Sequence, residues 1–209
     1  WNPELKQWII PITYETKARL VDLIKTQYFH PKNAPRVEDV KFDYSLTDSR
    51  FKELSESAKK LDLAYDARKY QIEALHYALE KGCFINGDDM GLGKTFESIL
   101  YTEYTSSFPC LVIVPASVKY NWLEKWTEIT KGRRSISAIE SGSENDWNAD
   151  VIIINYDIIA KKQGTGATFN FTQLQTISWK MCIYDEGHYL KSKKAQRTKV
   201  GVKISKNIE

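Results

Sequence analysis

Eight consecutive residues, Asp88-Asp89-Met90-Gly91-Leu92-Gly93-Lys94-Thr95, are of the types that hold a chain of phosphates. Glycines let backbone N–H groups turn inward and approach an anion closely. A helix that starts at Lys94 adds a partial positive charge at its N-terminus. In such a loop Lys94 reaches the β- and γ-phosphates, and the Thr95 hydroxyl ligates Mg2+. The first position of the GxxxxGK[ST] pattern is Asp88 instead of Gly. Taken alone, GLGKT also reads as an ordinary glycine-rich turn.

About ninety residues further on, Asp185-Glu186-Gly187-His188 closes the apolar run Met181–Tyr184. Two adjacent acids at a strand end can divide the labour of hydrolysis. Asp185 would hold Mg2+ through water, and Glu186 would polarise the attacking water. Acidic loop starts are common, so DEGH is weak by itself. The glycine loop followed by the acidic pair is a much stronger signal, and both are expected at the same edge of one sheet.

The elements that must position these residues alternate from about residue 66 onward. Helix periodicity runs from Tyr70 to Glu80, and Cys83-Phe84-Ile85 reads as a short buried strand. A helix follows from Lys94 to Tyr104, then strands at Leu111–Val114, Val151–Ile154 and Met181–Tyr184. Ser117 is placed to cap a helix that carries Trp122 and Trp126 one turn apart. Uninterrupted apolar runs suit a parallel sheet covered on both faces. The fold class is therefore α/β, a mostly parallel sheet flanked by helices. Ligands in such folds bind beyond the carboxyl ends of the strands. Upstream, residues 51–63 read as a polar helix and 31–50 as a linker. An aromatic-rich strand and a helix precede them, a small α+β appendage over residues 1–50.

Composition sets bounds on this reading. The 209 residues are 42% hydrophobic, enough to bury a core, and the net charge is +3. That charge is too mild to establish a nucleic-acid partner. Cys83, Cys110 and Cys182 form no CxxC and read as buried reduced thiols in an intracellular protein. No stretch approaches the ~20 apolar residues of a membrane span. The chain opens Trp-Asn-Pro without Met, which suggests an excised piece.

The motifs resemble those of Swi/Snf-type superfamily 2 ATPases. "DDMGLGKT" is similar to their motif I, which explains Asp88, and "DEGH" to their DExH motif II. "LVIVPASVKYNWLEKW" resembles motif Ia with its following helix, "IIINYD" the motif Ib region, and "ARKYQIEAL" the segment upstream of motif I. The matches fall in family order over residues 67–199, and the wording is nearest to the annealing-helicase branch. The resemblance implies a RecA-like P-loop NTPase lobe that uses ATP and Mg2+. Arg68, Tyr70 and Gln71 would sit at the base, with Gln71 reading the adenine edge. Asp89, Met90, Gly91, Leu92, Gly93, Lys94 and Thr95 would line the phosphates. Lys94, Asp185 and Glu186 would be catalytic, Thr95 and Asp185 would serve the metal, and His188 would couple the site to a second lobe.

On the DNA side the resemblance points to Pro115, Ser117 and Lys119 after one strand and to Asn155 and Tyr156 after another. Such contacts position a duplex without reading its sequence. The basic run Lys191-Ser192-Lys193-Lys194, with Arg197 and Lys199, reads as a solvated face or as a phosphate-binding stripe. The N-terminal "WNPELKQWIIP" resembles the end of a HARP-type module.

The lobe is expected over residues 51–209. The family's motif III turn does not occur in residues 189–209, so the lobe is expected to stop short of it, with residues 190–209 loosely packed or the gap in the sheet filled by a neighbouring chain. A second lobe in the intact chain would supply arginine fingers, worth on the order of 10³–10⁵ in rate. The isolated piece is therefore expected to lack turnover. The implied activity is a DNA-dependent ATPase that translocates on, remodels or anneals duplex or branched DNA. It would act in cytoplasm or nucleoid if bacterial or phage, and in the nucleus if eukaryotic. An RNA helicase of the same superfamily and a nucleotide-gated DNA-binding scaffold without hydrolysis are the alternatives.

Overall fold

The computed structural model describes residues 46–88, 91–141, 144–160, 172–206 and 208. The expected N-terminal appendage lies outside the described residues, apart from the start of the first helix, as do Asp89 and Met90. The chain divides into two compact units, Trp1–Ser57 with Ala67–Glu97 and Ala58–Asp66 with Ser98–Glu209.

Helix α1 (Asp48–Lys60) opens in the first unit. The Thr47 hydroxyl accepts the Arg50 N–H at 3.3 Å, Asp48 sits in the first turn, and Lys59 and Lys60 in the last. These charges complement the helix dipole. Helix α2 (Lys69–Lys81) buries Ile72, Leu75 and Ala78 at the three-residue spacing of a single face. Gln71 reaches back to accept the Arg68 N–H at 2.9 Å, so a side chain satisfies an N-terminal donor. Gly82, at φ 65°, ends the helix and donates to Ala78 O at 2.8 Å.

The strand expected at Cys83–Ile85 does not form. Cys83 is exposed, Phe84 and Ile85 are half-buried, and this segment belongs to no ladder among the described residues. An apolar run becomes a strand only where a neighbour meets its N–H and C=O groups. The expectation of three buried thiols fails at Cys83 for the same reason. Helix α3 (Lys94–Thr105) follows the glycine loop.

The second unit holds a four-stranded parallel sheet in the order β2-β3-β1-β4. Its strands are β1 (Cys110–Val114), β2 (Ile136–Ala138), β3 (Val151–Asn155) and β4 (Met181–Tyr184). The central pair β1 and β3 is buried throughout, which explains the unbroken apolar runs. Successive strand residues face opposite ways. Leu111, Ile113, Ile152 and Ile154 share a cluster with Tyr156, Ile159, Leu174, Trp179, Val200 and Ile204. Val112 and Ile153 are as fully buried on the other face. The helices of this unit are α4 (Lys119–Ile129), α5 (Tyr156–Ala160), α6 (Gln173–Thr176) and α7 (Gln196–Ser205). Helix α4 packs against β2 and β3, and α5 against β3 and α7. Because the strands are parallel and in register, Val114, Asn155 and Tyr184 end at one edge.

Two further expectations are corrected. Ser117 is exposed in a 3-10 turn, Ala116–Val118, that runs straight into α4; the N-cap is Val118, with no side-chain bond. The Val118 N–H bonds to Pro115 O at 3.2 Å, which closes the turn and places Ser117 inside it, ahead of the helix start. The expected looseness of residues 190–209 does not hold over α7, whose Val200 and Ile204 lie in the core. Tyr184 Oη donates to Gly201 O at 2.9 Å, and its ring would meet a Cβ at Gly201 at 3.4 Å. Ile208 forms a parallel bridge with Trp179, just before β4. No helix among the described residues is long and apolar enough to cross a membrane.

Candidate nucleotide site

In the first unit the glycine loop adopts a backbone that side chains resist. Gly91 lies at φ 88° and Gly93 at φ 87°, both in the left-handed region. A Cβ on Gly93 would stand 3.0 Å from Gln71 Nε2, whereas one on Gly91 would meet nothing within 4 Å. The loop is tied to α2 through a single carbonyl: Tyr70 Oη donates to Leu92 O at 2.8 Å, and Gln71 Nε2 donates to it at 3.3 Å. Lys94 opens α3, and its ammonium donates to the neutral carbonyl of Asp88 at 2.7 Å. Thr95 is half-buried in the first turn, and Arg68 is exposed at the start of α2.

Behind the loop, Asn86 joins two segments. Its Oδ1 accepts the Asp88 N–H at 3.0 Å, and its Nδ2 donates to Glu97. Glu97 is buried, and burial pushes its carboxyl up to about 7, with the charge of Asp88 adding to the shift and the Asn86 bond opposing it. This buried acid was not anticipated, since a single Glu in a helix carries no sequence signal.

The acidic turn belongs to the second unit. The Asp185 N–H extends the β4 ladder by donating to Ile113 O at 2.9 Å. Its Oδ1 accepts the Glu186 N–H at 3.0 Å, and its Oδ2 accepts the Trp122 indole N–H at 2.8 Å. Glu186 adopts the left-handed conformation, φ 50° and ψ 53°, a strained state for a residue with a side chain. Its carboxylate is exposed and lies 3.1 Å from His188 Nδ1. Tyr189 follows, stacked on Tyr156 at 5.0 Å, and Arg197 donates to its carbonyl at 2.7 Å.

The residues expected to touch DNA separate into two groups. Ser117 is exposed and Pro115 half-exposed at the end of β1. The other three are turned to internal tasks. Lys119 is 3% exposed, with its ammonium bonded to Ile139 O at 3.0 Å and paired with Glu140. Asn155 Oδ1 accepts the Ile158 N–H at 2.8 Å and so caps α5. Tyr156 is 1% exposed and donates to Asp185 O at 2.7 Å. Burial raises its phenol above the ordinary range, with the nearby charge of Asp185 adding to the effect.

A profile of the family described as "SNF2-related domain" matches residues 70–207. The chain belongs to the SNF2-related family. Among relatives, the bovine (Bos taurus) "DNA annealing helicase and endonuclease ZRANB3" is 29% identical over 167 residues, 75% of this chain and 15% of that protein. The Xenopus laevis "SWI/SNF-related matrix-associated actin-dependent regulator of chromatin subfamily A-like protein 1" is 28% identical over 67% of this chain and 14% of that protein. Its Caenorhabditis elegans homolog is 28% identical over 88% of this chain and 24% of that protein. The chain thus spans only a fraction of the length of these relatives. The "Sulfolobus solfataricus SWI2/SNF2 ATPase core in complex with dsDNA" shares the fold, with a TM-score of 0.55 at 23% identity, over 70% of this chain and 31% of that one.

For an SNF2-related chain the donor set at the glycine loop fits a nucleoside triphosphate with magnesium. Two left-handed glycines precede a twelve-residue helix whose first residues are a lysine and a threonine. Mg2+ keeps several waters and takes only one or two carboxylates beside substrate phosphates, so no cage of acids is required. None of three or more His, Cys, Asp or Glu is gathered among the described residues.

Proposed function

We propose that this chain is the ATP-binding, RecA-like lobe of a DNA-dependent ATPase that translocates on duplex DNA, or remodels or anneals it. The observation that carries the reading is the glycine loop, with Gly91 and Gly93 left-handed directly before Lys94 and Thr95 at a helix start, in a chain of the SNF2-related family. In this reading Lys94 holds the β- and γ-phosphates and Thr95 the magnesium. Tyr70 and Gln71 fix the loop from behind while Arg68 and Gln71 serve the base. Asp185 holds the hydrated metal, and Glu186 polarises the attacking water. His188, beside Glu186, relays the state of the site to a second lobe of the intact chain. Bound ATP with magnesium supplies the phosphoanhydride whose hydrolysis does the work. Without the second lobe's arginines, turnover by this lobe alone is negligible. Pro115 and Ser117 face a DNA phosphate, and Asn155 shapes the turn beside them. The names of the relatives, annealing helicases and chromatin regulators, support DNA as the partner and an intracellular place of action.

The test is ATP turnover by the full-length protein with duplex DNA, single-stranded DNA and RNA. Duplex DNA is expected to stimulate most. Glu186→Gln should abolish turnover while ATP still binds, and Lys94→Ala should weaken binding itself. Stimulation by RNA alone would favour an RNA helicase. Binding to DNA that responds to nucleotide without turnover would favour a scaffold.

A further inference from the structure

Asp185 is fixed at four points, and two of them are side chains with no role so far in the nucleotide site. Trp122, on α4, donates its indole N–H to Oδ2 at 2.8 Å, and Tyr156, at the start of α5, donates to the main-chain carbonyl at 2.7 Å. The Glu186 and Asp185 N–H groups complete the set, one bonded to Oδ1 and the other to Ile113 O.

We propose that Trp122, assisted by Tyr156, is a positioning residue that holds the Asp185 carboxylate in its metal-receiving orientation. The inference rests on the proposed role of Asp185 at magnesium. A carboxylate has about four lone-pair directions, and an indole N–H is a donor only. Trp122 takes one direction on Oδ2 and the Glu186 N–H takes one on Oδ1. The plane of the carboxylate is thereby set, and each oxygen keeps a direction for a metal-bound water. A ligand oriented beforehand has no rotamer freedom left to lose when the metal arrives.

Packing alone does not account for this bond. Trp126, one turn along α4, is more deeply buried than Trp122, yet its indole N–H has no hydrogen-bond partner. The helix therefore tolerates an unpaired buried indole, while the neighbouring one is directed at the acidic turn. Tyr156 gives a second, independent line. Its phenol lies beneath the same residue and its ring is held by stacking on Tyr189. Trp122 belongs to the segment after β1 and Tyr156 to the segment after β3. Both flank positions assigned to DNA.

The test compares Trp122→Phe, Tyr156→Phe and Asp185→Asn in the full-length protein. Mn2+ binding in the presence of a non-hydrolysable ATP analogue is read by electron paramagnetic resonance. Metal-free affinity for the analogue and Tm are measured alongside. Trp122→Phe is expected to weaken Mn2+ about tenfold while changing metal-free affinity by less than about twofold. Tyr156→Phe should weaken Mn2+ in the same direction by less. Unaltered Mn2+ affinity in Trp122→Phe, with Asp185→Asn impaired, overturns the inference and leaves the role of Asp185 standing. Unaltered affinity in Asp185→Asn overturns that role, and the inference with it. Should Trp122→Phe fail to fold, Trp122 is replaced by 3-benzothienylalanine, which keeps the bicyclic shape and lacks the N–H; the same two outcomes then decide.

Discussion

Gln71 holds Arg68 and Leu92 with the two ends of one side chain: its oxygen accepts the Arg68 N–H at 2.9 Å, and its nitrogen donates to Leu92 O at 3.3 Å. The same residue therefore starts α2 and anchors the phosphate loop. Gln71→Ala removes both bonds and should cost about 1–2 kcal/mol of stability. It should also weaken nucleotide binding about tenfold. Gln71→Glu keeps the acceptor for Arg68 and loses the donor to the loop. It should spare most of the stability and still weaken binding. Thermal melts and a fluorescent nucleotide titration separate the two effects. Wild-type nucleotide affinity in Gln71→Glu would show that the loop contact is idle.

The two glycines of the loop should respond differently to a methyl group. Gly91 and Gly93 have nearly the same φ, so alanine at either is strained by about 1–2 kcal/mol. At Gly93 the added Cβ also presses on Gln71 Nε2, which is already engaged. Gly93→Ala should therefore lower Tm further than Gly91→Ala, measured without nucleotide. Equal losses would mean that Gln71 yields freely.

The sheet and the glycine turn that leads into a helix were legible because they depend on local pattern. The apolar runs at 111–114, 151–154 and 181–184 became β1, β3 and β4, with ends shifted by at most one residue. Lys94 and Thr95 open a helix, as the motif requires. What failed depended on neighbours. Cys83–Ile85 has the composition of a strand and lacks a ladder partner among the described residues. Ser117 has the chemistry of a cap, but it lies inside a 3-10 turn and the N-cap position falls on Val118. Lys119 and Tyr156 stand at the positions that the motifs indicated, and their side chains turn inward to Glu140 and Asp185. Direction of a side chain is set by what lies 20 to 30 residues away, as the separations of 21 and 29 in these two bonds show. Helix α7 escaped notice because its buried residues, Val200, Gly201 and Ile204, are few among lysines.

Lys119 should behave as a structural cation. Its ammonium is buried while Glu140 is about half-exposed, so the two partners are not equivalent. Glu140→Ala leaves a buried charge short of its partner and should cost about 3 kcal/mol. Lys119→Met removes the charge and leaves Glu140 to water, so it should cost less. A phosphate contact at Lys119 would lower the salt slope of DNA binding by about 0.9 when the charge is removed. The expected slope is unchanged in Lys119→Met. A reduced slope would return Lys119 to the DNA face.

Stability should depend on pH through Glu97. Its carboxyl is pushed from 4.5 up to about 7, first by burial and then by the charge of Asp88, against the bond from Asn86. The folded state therefore holds a proton that the unfolded state releases between those two values. Stability from this group is complete below about pH 4.5 and is lost as pH rises through about 7. At pH 8 the ionised carboxylate is buried beside Asp88, with one oxygen that has no hydrogen-bond partner. Glu97→Gln keeps an acceptor for Asn86, adds a donor where the protonated acid has one, and carries no charge. The variant should match the parent near pH 4.5 and melt higher at pH 8. The gain should grow across the interval to on the order of 3 kcal/mol. Melting curves of both proteins from pH 4.5 to 8.5 are the measurement. A difference that does not vary with pH would show that Glu97 is already ionised throughout, and that its burial carries no proton-linked cost.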